Sequence, residues 1–580
     1  MKLYLYFLTF LLITIIVMPS SVFAQSGTLT VYATPLPLDS VISMDQNSGN
    51  PHSVIKLVST DTTYIFDKTS IFNYDVTLEG KLGTDGRPPC IQPDVLTDNS
   101  VPGQLFSFTK DGGVINIKNL YLLGVSIDNT VNSGNGMALL FSGKNMHVNI
   151  DNVIFEQWGQ FDISDGSQNG SFWVTNCKFL NNVNSGSVYT GEAFRVRNDL
   201  GVTAEDTLIL KYNTFLATNA YALCAPIFGY TSYINFSHNT IVSMAKNPLF
   251  ATAITNGVFD HNIFYAAFAG GQANGEYPWW DGNGVLSAVL DMYLTLPKSD
   301  AVRMGIDTAQ ADWSTKAEAA RKVQVNDNIY FMPTAITDFY STWNAKYTPD
   351  SLNYIHACGW INTQTDSMFN ASSNWNDSGN KVNFDPGYGQ GITDMIGGTG
   401  VTVPSEDGAG LIGYLTAARG NGGAAGTYYS YHQSVPDFSS GNWVPTWPLV
   451  AYSSGDLKYS ANVTATDGMQ YGDPYWFTGT ATGVKQVPAQ SPAKFALSNN
   501  YPNPFNPSTT INFSLAKDGN VTLNIYNVMG QLVKSVVSNA YMSKGEHNYI
   551  VNMDNFASGV YFYALRQGSN IITKKMVLLK

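Results

Sequence analysis

Val148-Asn-Ile-Asp-Asn152-Val-Ile-Phe155 decides the fold, because the chain keeps returning to it. The next copies read Phe172-Trp-Val-Thr-Asn176-Cys-Lys-Phe179, Leu208-Ile-Leu-Lys-Tyr212-Asn-Thr-Phe215 and Ile234-Asn-Phe-Ser-His238-Asn-Thr-Ile241. Seven copies end at Leu122, Phe155, Phe179, Phe215, Ile241, Phe264 and Tyr330. Five places before these ends stand Ile117, Ile150, Val174, Leu210, Phe236, Phe259 and Val325. Seven places before stand Ile115, Val148, Phe172, Leu208, Ile234, Gly257 and Val323, where only Gly257 breaks the apolar rule. Alternation with period two is the mark of a strand with one buried face. An Asn follows it, at 119, 152 and 176 three places before the end, then at 213, 239, 262 and 328 two places before. Asn tolerates left-handed backbone angles and bonds to neighbouring backbone, so it suits a tight bend between two strands.

The copies are 33, 24, 36, 26, 23 and 66 residues apart. The short intervals fit one bare coil of a solenoid, and the long ones a coil plus an insertion. A unit of this size cannot bury its own apolar face and must stack on its neighbours. The chain here resembles the right-handed parallel β-helix of the pectate-lyase-like superfamily, which carries an asparagine ladder at such a bend. The resemblance covers roughly residues 50 to 480 and is strong from 112 to 332. A β-sandwich of repeated strands is the alternative, and it leaves the lock between Asn and the apolar register unexplained.

The ends of the chain predict its destination. Lys2, the apolar run from Leu3 to Val17 and the small-residue exit at Val22-Phe23-Ala24 predict a signal peptide over residues 1–24. No other segment is long and apolar enough to span a membrane. Residues 484–494 (VKQVPAQSPAK) read as an extended linker. Beyond it, residues 495–580 hold short strand-like runs separated by turns at Asp518-Gly519, Met529-Gly530 and Ser558-Gly559, the pattern of a small Ig-like β-sandwich. Tyr501-Pro-Asn-Pro-Phe-Asn-Pro507, Ile525-Tyr-Asn-Val-Met-Gly530, Gly559-Val-Tyr-Phe562 and Lys574-Lys-Met-Val-Leu-Leu-Lys580 resemble the type A C-terminal sorting domain of the type IX secretion system. The resemblance implies passage through the periplasm, engagement of the type IX machinery by residues 495–580, and secretion or display at the outer-membrane surface.

Composition agrees with a rigid extracellular β protein: 580 residues, 44% hydrophobic, 13% charged, 52 Gly and 33 Tyr. A net charge of -12 argues against nucleic acid and anionic membrane as partners, since both require basic patches. Cys90, Cys177, Cys224 and Cys358 lack metal-ligand spacing, and Cys177 and Cys224 read as core residues. A disulfide is permitted in the periplasm, but no pairing follows from the spacing.

Residues 25–483 are thus expected to form the β-helix, with an insertion over 266–322 and a capping region over 332–480. The insertion contains Glu276-Tyr-Pro-Trp-Trp-Asp281. Tyr277, Trp279 and Trp280 are candidates to stack on sugar rings, or else to pack their own loop on the helix flank. Helix-like stretches fall near 309–322 and 335–346. The turns at Phe384-Asp-Pro-Gly-Tyr-Gly389 and Thr466 to Trp476 are expected to close the open end of the stack, whose edges need cover. Their aspartates suit calcium, although neither has an EF-hand ligand sequence. No cofactor is predicted.

The best catalytic candidate is a column. Tyr212, His238, His261 and Asp327 share one place in successive copies, one residue after Lys211, Ser237, Asp260 and Asn326. With coils about 4.8 Å apart, His238, His261, Asp260 and Asp327 come close enough for acid–base work or metal ligation. The bland reading is a structural ladder in the place earlier copies give to Asn. Arg195 and Arg197 are a second set, suited to a uronate carboxylate or simply to the surface. The Arg-x-Pro-x-x-Arg of pectate lyases, the paired Asp of polygalacturonases and the Gln-Asp-Thr-Leu of pectin methylesterases are absent. The expectation is an exported β-helix protein that binds or processes a polysaccharide, as a lyase or glycoside hydrolase if it is an enzyme. The alternative is a non-catalytic adhesin or structural envelope protein.

Overall fold

The structure, a computed structural model, describes residues 25–96, 100–127, 136–182, 190–197, 204–225, 230–251, 254–276, 286–292, 296, 298–371, 375–388, 392, 396, 410–420, 465–467, 469–476, 495–497, 500, 503, 505–517, 519–542, 545–568 and 570–579. The chain divides into two compact units, 1–480 and 481–580.

In the first unit the central coils each lay one strand in each of three parallel sheets, of 11, 10 and 8 strands, and the terminal coils lack one or two of the three. A representative coil runs from His147–Asp151 in the first sheet to Ile154–Glu156 in the second and Phe161–Asp165 in the third. The register is the one the repeats predict. Ile115, Val148, Phe172, Leu208, Ile234, Gly257 and Val323 are successive partners across the first sheet. Leu122, Phe155, Phe179, Phe215, Ile241, Phe264 and Tyr330 are successive partners across the second. The first unit is a parallel β-helix.

Inward files of like residues hold it together. Phe155 stacks on Phe179 at 5.0 Å and Phe179 on Phe215 at 4.8 Å, with planes within 4° of parallel. A second pile joins Phe72, Phe108 and Phe141 at 5.3 and 4.9 Å. Burying one such ring contributes about 1.5–3 kcal/mol, so these files add to the strand ladders in holding the coils together. Gly257 fits because its neighbours fill its space: a Cβ there would stand 2.6 Å from Ile254 and 2.9 Å from Phe259. At the N-terminal end the helix Leu38–Asn47 inserts Leu38 and Ile42 into the same core.

The bend between first and second sheets is left-handed in every copy. The residue three places before each end has φ between 52° and 58°: Asn119, Asn152, Asn176, Tyr212, His238, His261 and Asp327. The next position turns inward. From Asn213 onward it forms a continuous amide ladder, Asn213 to Asn239 at 3.0 Å, Asn239 to Asn262 at 3.1 Å, Asn262 to Asn328 at 2.9 Å and Asn328 to Asn380 at 2.9 Å. Each Oδ1 also accepts the backbone N–H of the coil before, starting with Cys177 N–H to Asn213 Oδ1 at 2.9 Å. Outward and inward Asn are therefore two features with two functions.

Asn380 reveals a further rung. Trp375–Asn376 and Lys381–Val382 extend the first and second sheets, with Trp375 opposite Val323 and Val382 opposite Tyr330. Part of the expected cap is thus solenoid. The 266–322 segment likewise contributes Leu290–Asp291 to the third sheet, and Gln272–Ala273 pairs antiparallel with Ile355–His356. Helices occupy Trp313–Ala320 and Thr334–Asn344, close to the predicted stretches. All four cysteines are buried and free.

The second unit has a three-stranded and a four-stranded sheet around one core. Val521, Leu523 and Ile525 alternate inward along Gly519–Asn527, flanked by Leu532–Met542 and Gly559–Gln567. The Asn-Pro-Phe-Asn-Pro segment is tied to this core: Phe505 N–H donates to Val577 O at 2.9 Å, and Asn500 N–H to the Tyr563 hydroxyl at 2.9 Å. The predicted signal peptide and the linker lie outside the described residues. Among the described residues no helix is long and apolar enough to cross a membrane.

Candidate functional site

The predicted column exists. Lys211, Ser237, Asp260 and Asn326 are register partners, and the residues after them stand in a row at the left-handed bend. His238 and His261 stack at 4.8 Å with planes 16° apart, and Tyr212 lies 5.5 Å beyond His238. A left-handed residue turns its side chain out of the coil. Both imidazoles are nevertheless buried, at 4% and 7% exposure.

What covers them is residues 465–476. Gln470 O lies 2.9 Å from His238 Nδ1, Asp467 Oδ2 2.9 Å from His238 Nε2, and Thr466 Oγ1 3.1 Å from His261 Nε2. The Thr466 hydroxyl donates to Asp327 Oδ2 at 2.7 Å. Asp260 Oδ2 lies 3.4 Å from His261 Nδ1. The segment then runs back along the second sheet. Gly472 N–H donates to His261 O, Asp473 N–H to Thr240 Oγ1 at 2.8 Å, and Trp476 Nε1 to Thr214 Oγ1 at 2.6 Å. Lys178 sits 4.8 Å over the Tyr475 ring, and Lys381 donates to the Tyr471 hydroxyl at 3.1 Å. Gly472 is required here: its φ is +68°, and a Cβ would stand 2.5 Å from Thr240 Oγ1. Residues 465–476 are therefore a strap along the flank, not a plug at the open end as the sequence suggested. Side chains spaced by the coil pitch make such a track.

Charge at the row is one-sided. Burial raises the Asp467 carboxyl, but the His238 hydrogen bond, the Met469 N–H and both imidazoles outweigh it and hold the group at about 2. Asp260 is lowered in the same way: burial opposes it, and contacts with His261 and Ser237 prevail. Burial lowers His261, but Asp260, Asp467 and Asp327 together push it above its ordinary value. One ligand atom each from His238, His261 and Asp467 lie within 4.8 Å of one another.

Arg195 and Arg197 stand elsewhere, on and just after the third-sheet strand Glu192–Val196. Arg195 Nη1 binds both oxygens of Glu192, at 2.9 and 3.1 Å, and its guanidinium lies 5.9 Å from the Tyr221 ring. Arg197 covers Phe161 at 5.5 Å. Around them the structure gathers residues the sequence did not single out. Asp162, Asp165, Glu192 and Glu205 are all at most 1% exposed. Burial pushes Asp165 up to about 7, and Glu192 to about 7 despite Arg195. Asp162 and Glu205 are also well above the usual carboxyl range, through burial first and, for Glu205, the nearby Asp165. Asp162 Oδ1, Ser164 Oγ, Asp165 Oδ2, Ser167 Oγ and both Glu205 oxygens have no hydrogen-bond partner. Their signal in the sequence was faint: Phe161-Asp-Ile-Ser-Asp165 reads as an ordinary half-exposed strand.

Glu276, which immediately precedes Tyr277 in sequence, is fixed by Lys246 at 2.7 Å and Arg419 at 3.4 Å. Tyr277, Trp279 and Trp280 lie outside the described residues. No curated protein and no solved structure matches the chain. Residues 499–579 match the family of the secretion system C-terminal sorting domain, so the protein is exported by that route, to be secreted or attached at the cell surface.

Proposed function

We propose that the exported β-helix binds a polysaccharide carrying uronate groups, on the third sheet around Arg195 and Arg197. One observation supports this above the others: the two arginines lie on or beside the sheet that holds Asp162, Asp165 and Glu192, carboxyls that burial raises above the usual carboxylate range. A cluster of buried ionisable groups with shifted protonation, unneeded for the coil register, is the physical mark of a functional surface. Guanidinium groups pair with carboxylates in bidentate fashion, which suits a uronate. Carboxyls poised near neutrality suit general acid chemistry, so cleavage of the bound chain, by hydrolysis or elimination, is the catalytic form of this proposal. The resemblance of the sequence repeat to that of pectate-lyase-like proteins points the same way by analogy only.

The bend row of His238, His261, Asp260 and Asp327 is the second place where such chemistry has the right groups. Its burial beneath the strap favours a fastening role there. The test is a panel of neutral and uronate-bearing polysaccharides offered to the full chain, with binding, new reducing ends and unsaturated products all measured. Retention on uronate polymers that drops at least tenfold in Arg195→Ala and persists in His238→Asn is the expected result. Equal binding by Arg195→Ala removes the third-sheet assignment, and no binding or cleavage on any glycan leaves the adhesin or envelope reading.

A further inference from the structure

The hydrogen-bond partners of the two stacked histidines decide where their protons sit. Gln470 O only accepts, so His238 Nδ1 carries a hydrogen. The Thr466 hydroxyl spends its one proton on Asp327, so it accepts from His261 Nε2, which carries a hydrogen too. The remaining nitrogens are His238 Nε2 and His261 Nδ1. Both face the same carboxylate oxygen, Asp467 Oδ2, at 2.9 and 4.0 Å. His261 Nδ1 also faces Asp260 Oδ2 at 3.4 Å. A bare nitrogen lone pair against a carboxylate oxygen is repulsive. Two arrangements remove the repulsion. One protonates both rings, which sets two like charges face to face at 4.8 Å. The other places one divalent cation among the lone pairs and the carboxylates.

We infer that His238 Nε2, His261 Nδ1 and Asp467 Oδ2, with Asp260 as fourth ligand, form a zinc site that clasps the 465–476 strap to the β-helix. The donor set selects the metal: two imidazoles with carboxylates suit zinc or a similar transition ion, whereas calcium prefers oxygen alone. Ligand atoms around tetrahedral zinc sit about 3.3 Å apart, given bonds of about 2.0–2.1 Å. The three principal donors already lie within 4.8 Å of one another. Asp260 has a further oxygen, Oδ1, buried and without a hydrogen-bond partner. The outer shell is in place as well: Gln470 O and Thr466 Oγ1 each hold the far nitrogen of one ligand ring, the arrangement that fixes tautomer and orientation in histidine metal sites. Coils one pitch apart supply two ligands and the strap the third, so the bound ion joins segments more than 200 residues apart in sequence.

The test uses the full chain, stripped with chelator and titrated with zinc or cobalt(II) alone. One metal ion per chain is expected, with the visible bands of tetrahedral cobalt bleached by added zinc. Zinc is also expected to slow amide exchange in residues 465–476. Asp467 is on the partly exposed strap, so Asp467→Asn leaves the solenoid folded and is expected to weaken zinc binding by ~100-fold or more, loss of an outer-shell partner alone costing ~10–100-fold. His261→Asn keeps a residue that tolerates the left-handed angle and is expected to do the same. Failure of the stripped chain to take up either metal overturns the site, as does unchanged affinity in Asp467→Asn. Uptake that leaves exchange in 465–476 unaltered, or calcium slowing it as well as zinc does, overturns the clasp.

Discussion

At the scale of single residues, the bend shows how one amide can serve two purposes. Asn at 119, 152 and 176 meets a backbone requirement, a positive φ, that Tyr212, His238, His261 and Asp327 meet at some cost in later coils. Asn at 213, 239, 262, 328 and 380 meets a hydrogen-bonding requirement inside the helix. The sequence pattern reads as one Asn sliding by a place. The clue to the difference is that Leu120, Val153 and Cys177 hold the inward position before Asn213 takes it over. Asn262 sits mid-ladder, accepting from Asn239 and donating to Phe236 O and Asn328. Asn262→Ala strands the buried donors of Asn239 and takes a donor from the buried acceptors Phe236 O and Asn328 Oδ1, and is expected to cost about 2–4 kcal/mol in denaturant unfolding. A loss below about 1 kcal/mol would mean the ladder is filler.

At the scale of elements, legibility follows the length of the repeating run. First-sheet strands and the bend were readable because they share a fixed spacing. The coil of Val76–Gly80 escaped because a loop separates it from Cys90–Pro93, and the coil of Trp375 because Asp377 breaks its alternation. The strap was invisible: Thr466 meets His261 from 205 residues away. The third sheet was unreadable for another reason. Its strands are two to five residues long, and both faces are buried in Phe161–Asp165, so no alternation marks the buried acids. That burial has a measurable consequence. Asp165 and Glu192 titrate near 7 when folded, against 3.8 and 4.5 ordinarily. Between those limits the unfolded chain releases protons that the folded chain retains, so stability falls as pH rises from about 4 to about 7 and then levels. Melting temperature across this range is expected to decline in the parent and to decline less in Asp165→Asn. A flat profile in the parent would place these carboxyls in water.

At the scale of the whole molecule, two units divide the work. The C-terminal unit provides the export address, and the β-helix presents a rigid surface outside the cell. A stacked solenoid is well suited to presenting such a surface. Each coil contacts its neighbours, so loops can grow at one corner without disturbing the files of Phe and Asn elsewhere. The strap over the histidines is an addition of this kind. The candidate sites both depend on which coil lies beside which.

Neighbouring coils in register are therefore the central claim, and cysteine cross-linking tests it most directly. Asp151 has Lys118 as its partner on one side and Thr175 on the other, all at the outward end of first-sheet strands. Asp151→Cys combined with Lys118→Cys, and separately with Thr175→Cys, is expected to oxidise to an intramolecular disulfide in each case, the native cysteines being buried. If either pair stays reduced while the protein remains folded, the coils are not stacked in this order.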